Sequence, residues 1–159
     1  MELFLRPADR RDAATIAAIY NSNPDFLIHH LGRERVDEAF LLSELDAMAG
    51  AGFASLLITE GEGGPAVAAA DVRDGEEAYF SLLILDRAAQ GHGLGRRCAA
   101  LLEEHLRAAG SRQVRIDVVD GPPGSPLPFW QRMGYEGGRR VRLTWGGKTS
   151  DALVLHKEL

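Results

Sequence analysis

The chain has 159 residues, of which 45% are hydrophobic and 26% are charged, and its formal net charge is −5. This length suits one domain with a single core, and no segment has the ~20 uninterrupted apolar residues that a membrane-spanning helix requires. The acidic balance argues against nucleic acid as the main partner and is compatible with a cationic substrate such as an amine.

The first half of the chain predicts one strand, two helices and three further strands. A short strand over residues 3–5 ends before Pro7, because proline cannot continue a strand ladder. Helical spacing of apolar residues predicts one helix that ends near Tyr20 and another over residues 33–49. Glycine-rich turns then separate three strands, which we expect to be antiparallel, over residues 53–60, 66–72 and 78–85.

The second half predicts a long amphipathic helix that ends at Gly110, then a strand over residues 113–119. Because a helix connects this strand to the one before it, we expect the two to be parallel. A short helix over residues 127–133 and two strands over residues 136–144 and 151–157 complete the chain. The predicted order is therefore β-α-α-β-β-β-α-β-α-β-β, which is a mixed α/β fold.

A loop with three glycines, QGHGLG at residues 90–95, lies between the third of those strands and the long helix. The first N–H groups of a helix are unpaired and carry partial positive charge, so this loop predicts a binding site for phosphate. A P-loop would need Gly-Lys-Ser/Thr, which Gly95-Arg96-Arg97 does not supply. The dinucleotide pattern Gly-x-Gly-x-x-Gly is not met from Gly91 or from Gly93.

The pattern Gln90-x-x-Gly93-x-Gly95 resembles the pyrophosphate loop of the GNAT superfamily of acyl-CoA N-acyltransferases. The predicted element order resembles the fold of that superfamily over essentially the whole chain. This resemblance implies a mixed central sheet that splays at the acyl-CoA site, with acetyl-CoA as co-substrate and no metal. It implies an N-acetyltransferase in which a primary amine of a small molecule or peptide attacks the thioester directly in a ternary complex.

The resemblance also implies which residues bind acetyl-CoA. Backbone N–H groups of the loop would hold the diphosphate, and the arginine side chain at the end of the loop would add positive charge. The residues of this diphosphate site are Gln90, Gly91, His92, Gly93, Leu94, Gly95 and Arg96. The strand before the loop would bind the pantetheine arm through the backbone of Leu83, Ile84 and Leu85. Leu83 would also donate its N–H to the oxyanion.

Two positions in the acetyl-CoA site depart from the superfamily's pattern. Trp130, in the segment FWQRMGY, stands where many members have a tyrosine that protonates the leaving thiolate. An indole N–H donates a hydrogen bond but is too weakly acidic to deliver a proton. Asp120 replaces an asparagine that commonly contacts pantetheine. We expect both residues to border the cofactor.

The base that deprotonates the amine has two candidates, Glu76 and Glu77. They begin the strand that leads to the loop, and burial would raise a carboxylate's pKa. A solvated turn is the alternative for both. His29, His30 and Arg33 lie in the region that forms one wall of the acceptor site in the superfamily. The histidine pair is either a base, an acceptor contact or a pair of ordinary surface or core residues.

Two other functions are compatible with parts of the sequence. A non-catalytic CoA-binding regulatory domain of the same fold would explain the missing tyrosine. A dinucleotide-binding oxidoreductase is disfavoured, because its fingerprint follows a first strand whereas at least three strands precede this loop.

We expect one cytoplasmic domain over residues 1–159, with a homodimer possible through the last strands. The amino terminus lacks a basic stretch followed by an apolar one, and the single cysteine, Cys98, excludes an internal disulfide. No Cys, His and carboxylate set has the spacing of a metal site.

Overall fold

A computed structural model describes residues 1–119 and 124–159 of the chain. The described residues form seven strands, which are Leu3–Pro7 (β1), Ala54–Glu60 (β2), Ala66–Arg73 (β3), Glu77–Leu85 (β4), Gln113–Val119 (β5), Glu136–Trp145 (β6) and Lys148–Glu158 (β7). They also form five α-helices, which are Ala13–Asn21 (α1), Pro24–Leu31 (α2), Glu38–Gly50 (α3), Leu94–Ala108 (α4) and Leu127–Arg132 (α5). None of these helices is long and apolar enough to cross a membrane.

All seven strands belong to one mixed sheet with the order β1-β2-β3-β4-β5-β7-β6. Strands β4 and β5 are parallel, and every other neighbouring pair is antiparallel. Helices α1 to α3 cover one face of the sheet, whereas α4 and α5 cover the other, so two cores lie on opposite sides of it. The predicted fold class is confirmed, including the parallel pair that the α4 crossover joins.

The sequence pattern missed one helix, α2. Asn21 to Pro24 predicts a break, but proline is favoured in the first turn of a helix, where its missing N–H costs nothing. The following helix also begins later than predicted. Asp37 caps it by accepting a hydrogen bond from the Phe40 N–H at 2.8 Å, so α3 starts at Glu38.

Strand β4 contains a bulge at Ser81. Asp71 of β3 pairs with Leu82 and its neighbour Val72 pairs with Phe80, so Ser81 has no partner on β3. The bulge shifts the alternation of side chains between the two faces. Phe80 and Leu83 therefore both pack on the α4 side of the sheet, although an unbroken strand would point them to opposite sides.

The sheet splays between β4 and β5. These strands pair only where Glu77 to Phe80 lie beside Gln113 to Ile116. Beyond that point β5 stays paired with β7 as far as Val119, which faces Ala152. The second half of β4 therefore borders an opening at the carboxyl ends of the two parallel strands, beside the glycine loop, as the resemblance implied.

Candidate functional site

The glycine loop ends in a helix start that offers unpaired N–H groups. Gly91 and Gly93 have φ values of +86° and +72°, a region that favours glycine, and a Cβ added at either position would meet only open space. Gly93 precedes the first turn of α4, and no side chain caps it. The start of α4 therefore combines free donors, partial positive charge and an unobstructed approach, which fits an anionic group.

Two residues of the first turn, Leu94 and Gly95, fix α4 rather than face a ligand with a side chain. Leu94 is buried in the core on the α4 side of the sheet. A Cβ at Gly95 would lie 3.4 Å from the Phe129 ring, so glycine allows α5 to pack closely against α4. This contact holds the helix start at the edge of the opening.

The side chain of Gln90 ties the loop to the rest of the molecule. Its Nε2 donates to Asn23 Oδ1 at 2.7 Å and to the Leu85 carbonyl at 3.2 Å. Asn23 is buried, and its Nδ2 donates to the same carbonyl at 2.8 Å and to the Ile19 carbonyl at 3.0 Å. Sequence reasoning missed Asn23, because 67 residues separate it from Gln90. Together the two amides fasten the loop to the ends of β4 and α1.

We expect Gln90→Ala and Asn23→Ala each to weaken CoA binding about tenfold or less, because each loosens the loop without removing a backbone donor. If Gln90 acts only by fastening the loop, the two effects overlap and the double variant binds CoA about as weakly as either single variant. Calorimetric titration of CoA into the three variants measures this. Additive losses would contradict the fastening role and place the Gln90 amide on the ligand itself.

A cleft of about 700 Å³ occupies the opening between β4 and α4, and we call it the loop cleft. Among the predicted cofactor residues, the loop cleft is lined by Leu83, Ile84, Leu85, Gln90, Gly91, Gly93, Gly95, Arg96 and Trp130. His92 and Leu94 do not line it: His92 is exposed, and the Leu94 side chain is in the core. The prediction for Asp120 lies outside the described residues.

The backbone of Leu83 points into this cleft. The Asp86 N–H donates to the Val67 carbonyl of β3 at 2.8 Å. Alternate residues of an antiparallel strand direct their backbone groups to the same side, so Ile84 shares that orientation. The N–H and C=O of Leu83 therefore point away from β3, toward the side from which β5 has diverged. They are in place to hydrogen-bond an extended ligand.

A second cavity, of about 230 Å³, lies on the α1 to α3 side of the sheet, and we call it the strand cavity. Its polar lining includes His30, Asp71, Tyr79, Ser81, Asp117, Lys148 and Ser150. It shares Phe26, Leu83, Pro126 and Trp130 with the loop cleft. The two spaces therefore meet between the Leu83 backbone and the Trp130 side chain.

Asp71 is a buried carboxylate in the wall of the strand cavity. Asp71 is 9% exposed, and its Oδ1 accepts a hydrogen bond from Ser55 Oγ at 2.6 Å. Burial raises the pKa of Asp71 to about 6, while the bond from Ser55 acts in the opposite direction. Asp71 sits opposite Leu82, directly beside the bulge. No cation among the described residues is within ion-pair distance of it.

Asp117 also lines the strand cavity, but its charge is compensated. Arg115 donates to both of its oxygens, from Nε at 2.8 Å and from Nη2 at 3.0 Å. The Tyr79 hydroxyl donates to the same carboxylate. Burial and the contact with Asp117 raise the pKa of Tyr79, so its hydroxyl remains a neutral donor. The Asp117 carboxylate is therefore neutralised by Arg115 and is not free to act as a base.

Trp130 forms the boundary between the two spaces. Its ring packs edge to face against Tyr135 and Phe80, with centroid distances of 5.2 and 6.1 Å. Tyr135 is fixed in turn, because its hydroxyl donates to the buried Glu103 carboxylate at 2.8 Å. Within residues 1–119 and 124–159, no acceptor takes the indole N–H of Trp130. The ring is therefore held rigidly while its donor is available to a ligand.

The structure does not bring Glu76 or Glu77 to either space. Both are exposed, and Glu77 Oε2 lies 3.6 Å from His156 Nε2. Strand β4 first lines the strand cavity at Tyr79, two residues further along. A carboxylate from the neighbouring strand, Asp71, occupies the cavity wall instead.

Only one of the three residues predicted for the acceptor wall lines a cavity. His30 lines the strand cavity and stacks on Phe26 with a centroid distance of 4.1 Å. Burial lowers the pKa of His30, so it is neutral near pH 7. His29 lines neither space, and the Arg33 guanidinium lies outside them, 4.5 Å from the centre of the Phe40 ring. No described cluster of His, Cys, Asp or Glu side chains is arranged to hold a metal ion.

Comparison with known proteins identifies a family and a fold. The family model for the acetyltransferase (GNAT) family matches residues 16–135, which include the loop, both parallel strands and Trp130. The search of curated proteins found no match.

Many solved structures share the fold. An acetyltransferase from Thermus thermophilus is 24% identical with a TM-score of 0.78, covering 100% of this chain and 98% of that chain. A GNAT phosphinothricin acetyltransferase from Sinorhizobium meliloti in complex with acetyl-CoA is 20% identical with a TM-score of 0.71, covering 100% and 89%. A ribosomal-protein-alanine N-acetyltransferase from Brucella melitensis is 22% identical with a TM-score of 0.70, covering 98% and 99%. At these identities the likeness concerns the fold.

Proposed function

Because this chain belongs to the acetyltransferase (GNAT) family, we propose that it transfers the acetyl group of acetyl-CoA to a primary amine by direct attack in a ternary complex. One observation carries this proposal. The loop cleft has a helix start with unpaired N–H groups at one end, the strand cavity has a buried carboxylate, and the two spaces meet at Leu83 and Trp130. Donor and acceptor can therefore enter from opposite sides and react at the junction.

The donor is held mainly by backbone groups. The diphosphate of acetyl-CoA binds the N–H groups at the start of α4, where Arg96 adds positive charge. The pantetheine arm extends along the second half of β4 and hydrogen-bonds to the backbone of Leu83, as an added strand would. This places the thioester beside Trp130 at the junction.

The reaction begins with the loss of a proton from the ammonium of the acceptor. Asp71 accepts this proton, directly or through a water molecule, and the neutral nitrogen attacks the thioester carbon. The N–C bond forms while the carbonyl oxygen becomes an oxyanion, to which the Leu83 N–H donates a hydrogen bond. The C–S bond then breaks and CoA leaves as a thiolate, which takes a proton from solvent. The nitrogen releases its second proton to water, and Asp71 returns the first proton to solvent.

Asp71 suits this role better than the other carboxylates near the junction. Asp117 is neutralised by Arg115, and Glu77 lies outside the cavity. Asp71 has only a serine hydroxyl as partner, and its pKa of about 6 leaves it mostly ionised at pH 7 yet more basic than an ordinary aspartate.

Trp130 contributes a hydrogen bond to the departing sulfur and not a proton. We expect Trp130→Phe to lower kcat roughly threefold to tenfold, which is the effect of one lost neutral hydrogen bond. Trp130→Tyr restores a donor and should recover that loss. Steady-state kinetics with a saturating amine, with Tm measured for both variants, test this. Equal kcat for Trp130→Phe and wild type would remove the indole from the mechanism.

The proposed function is tested by binding and turnover measured separately. Calorimetric titration should detect CoA and acetyl-CoA binding, and thiol release should exceed the hydrolysis rate when a suitable amine is added. CoA binding without turnover across a broad amine panel would favour a regulatory CoA-binding domain. The absence of any CoA binding would overturn both functions.

A further inference from the structure

We propose that the acceptor is a small amino acid, a molecule that carries a carboxylate as well as the reacting amine. Lys148 binds its carboxylate, and Asp71 receives its ammonium. This inference rests on the proposed acetyl transfer and specifies its substrate class.

The argument starts from the charges in the wall of the strand cavity. Two carboxylates, one imidazole and one ammonium line it, from Asp71, Asp117, His30 and Lys148. Asp117 is paired with Arg115. His30 is neutral, and its Nδ1 lies 2.9 Å from the Phe26 carbonyl. Asp71 and Lys148 therefore remain as two opposite charges, and neither has a counter-ion within the described part of the chain.

Lys148 is held in the cavity wall by the hairpin between β6 and β7. The hairpin turn lies against α2, where a Cβ at Gly146 would come within 2.5 Å of the Leu31 side chain. The Lys148 side chain passes Gly32, and its Nζ donates to Ser150 Oγ at 3.1 Å. The ammonium also lies close enough to His30 to help lower the pKa of that imidazole. Lys148 and Ser150 are both half-buried and line the cavity.

A half-buried ammonium without a counter-ion loses solvation and gains no ion pair in return. A carboxylate on the ligand would supply that pair. Ser150 adds a second hydrogen-bond donor for it, since the hydroxyl that accepts from Lys148 still carries a proton. A simple alkylamine has no group that could satisfy Lys148, so the cavity favours a zwitterion over a plain cation.

The rest of the cavity limits the size of the acceptor. Phe26, His30 and Trp145 form an aromatic wall. The Trp145 indole N–H donates to Glu44 at 2.8 Å, which fixes the ring and leaves its apolar face to the ligand. At about 230 Å³ the strand cavity is also much smaller than the loop cleft of about 700 Å³. This space suits one amino acid with an apolar or aromatic side chain better than a length of peptide.

The test compares amines that differ only in the carboxylate. Leucine is paired with isopentylamine and phenylalanine with phenethylamine, and thiol release from acetyl-CoA is measured for each. β- and γ-amino acids are included to find the preferred separation of the two charges. We expect kcat/KM to be at least about tenfold higher for the preferred amino acid than for its decarboxylated partner, the effect of one charged hydrogen bond.

Lys148→Gln should remove this preference by raising KM for the amino acid about 10- to 100-fold, the effect of a lost charged hydrogen bond, with kcat changed much less. Arg142→Gln is the matched control, because Arg142 lies on the same hairpin but is exposed and paired with Asp151. A second readout is the rise in Tm that the amino acid causes when CoA is present. This rise should be lost in Lys148→Gln and kept in Arg142→Gln.

The outcomes separate the inference from the function on which it rests. Equal turnover of amino acids and their decarboxylated partners would overturn the inference and leave acetyl transfer intact. Acetyl-CoA binding without turnover of any amine, together with no rise in Tm from any amino acid, would overturn both. An amino acid that raises Tm only when Lys148 is present would support the inference independently of turnover.

Discussion

Asp71→Asn is expected to lower kcat/KM for acetyl transfer by about 10²- to 10⁴-fold without destabilising the protein. The variant keeps the size of the side chain and an oxygen that can accept the bond from Ser55, but it cannot take a proton. The lost rate is therefore the contribution of the base. Measurement of kcat/KM at saturating acetyl-CoA gives the change directly.

Stability should move in the opposite direction. The pKa of Asp71 is about 6 in the folded protein, whereas an aspartate in an unfolded chain has its ordinary pKa of 3.8, so the folded state binds more protons between these pH values. Its contribution to the free energy of unfolding therefore decreases as pH rises from about 4 to 6. Above pH 6 the buried charge costs about 3 kcal/mol. Asp71→Asn removes that cost and should raise Tm at pH 7.

Asp117→Asn provides the contrast for stability. It removes the partner of Arg115, so we expect the free energy of unfolding to fall by about 1–3 kcal/mol. If Asp71→Asn also lowered Tm at pH 7, the buried charge would not be a net cost to folding, and the raised pKa that supports the proposed base would be wrong.

The pH profile gives a further check on Asp71. In the wild type, kcat/KM should fall below about pH 6 as Asp71 becomes protonated. This acidic limb should be absent from the residual activity of Asp71→Asn. A limb that persisted unchanged in the variant would assign it to another group.

Gly93→Ala is expected to weaken CoA binding about 10- to 100-fold, the second large effect. Gly93 has φ of +72°, so alanine costs roughly 1–2 kcal/mol of backbone strain. Relief of that strain would rotate the N–H groups at the start of α4 away from the diphosphate, and each charged hydrogen bond lost costs about 1.5–3 kcal/mol. Calorimetric titration with CoA measures the affinity.

Gly110→Ala is the matched control, because Gly110 lies just beyond the other end of α4 with φ of +97°, and an added Cβ would meet only open space there. Both variants should lose a similar amount of Tm, but only Gly93→Ala should lose CoA affinity. Equal affinities for the two variants would show that the loop backbone does not bind the diphosphate.

The sequence predicted the parts of the site that depend on local backbone pattern. The three glycines of residues 90–95 and the amphipathic segment after them place a helix start at the end of a strand, and the structure has that arrangement. The order of strands and helices also follows from local sequence. The exception is α2, because the residue types around Pro24 are compatible both with a break and with a helix start.

The acceptor side depends on contacts between residues that are distant in the chain. Asp71 is the only charged residue within the buried run of β3, AVAAADV, and that isolated acid was the available signal for it. Glu77 begins β4, the strand that leads to the loop, and is therefore favoured by the sequence, but no local pattern indicates where along β4 the cavity wall begins. Lys148 reaches the cavity through a hairpin whose position depends on its contact with α2.

The extra residue in β4 allows the alternation of side chains between the two faces of the sheet to differ before and after the bulge. Up to Phe80 the strand pairs with both β3 and β5, whereas from Leu82 onward it pairs with β3 alone. Deletion of Ser81 would force a single phase on the whole strand. Either the Phe80 side chain would leave the core on the α4 side, or the Leu83 N–H would point toward β3 and form a strand hydrogen bond with it instead of pointing into the loop cleft. A one-residue deletion there should thus abolish the proposed acetyl transfer, measured as thiol release, even in a chain that still folds.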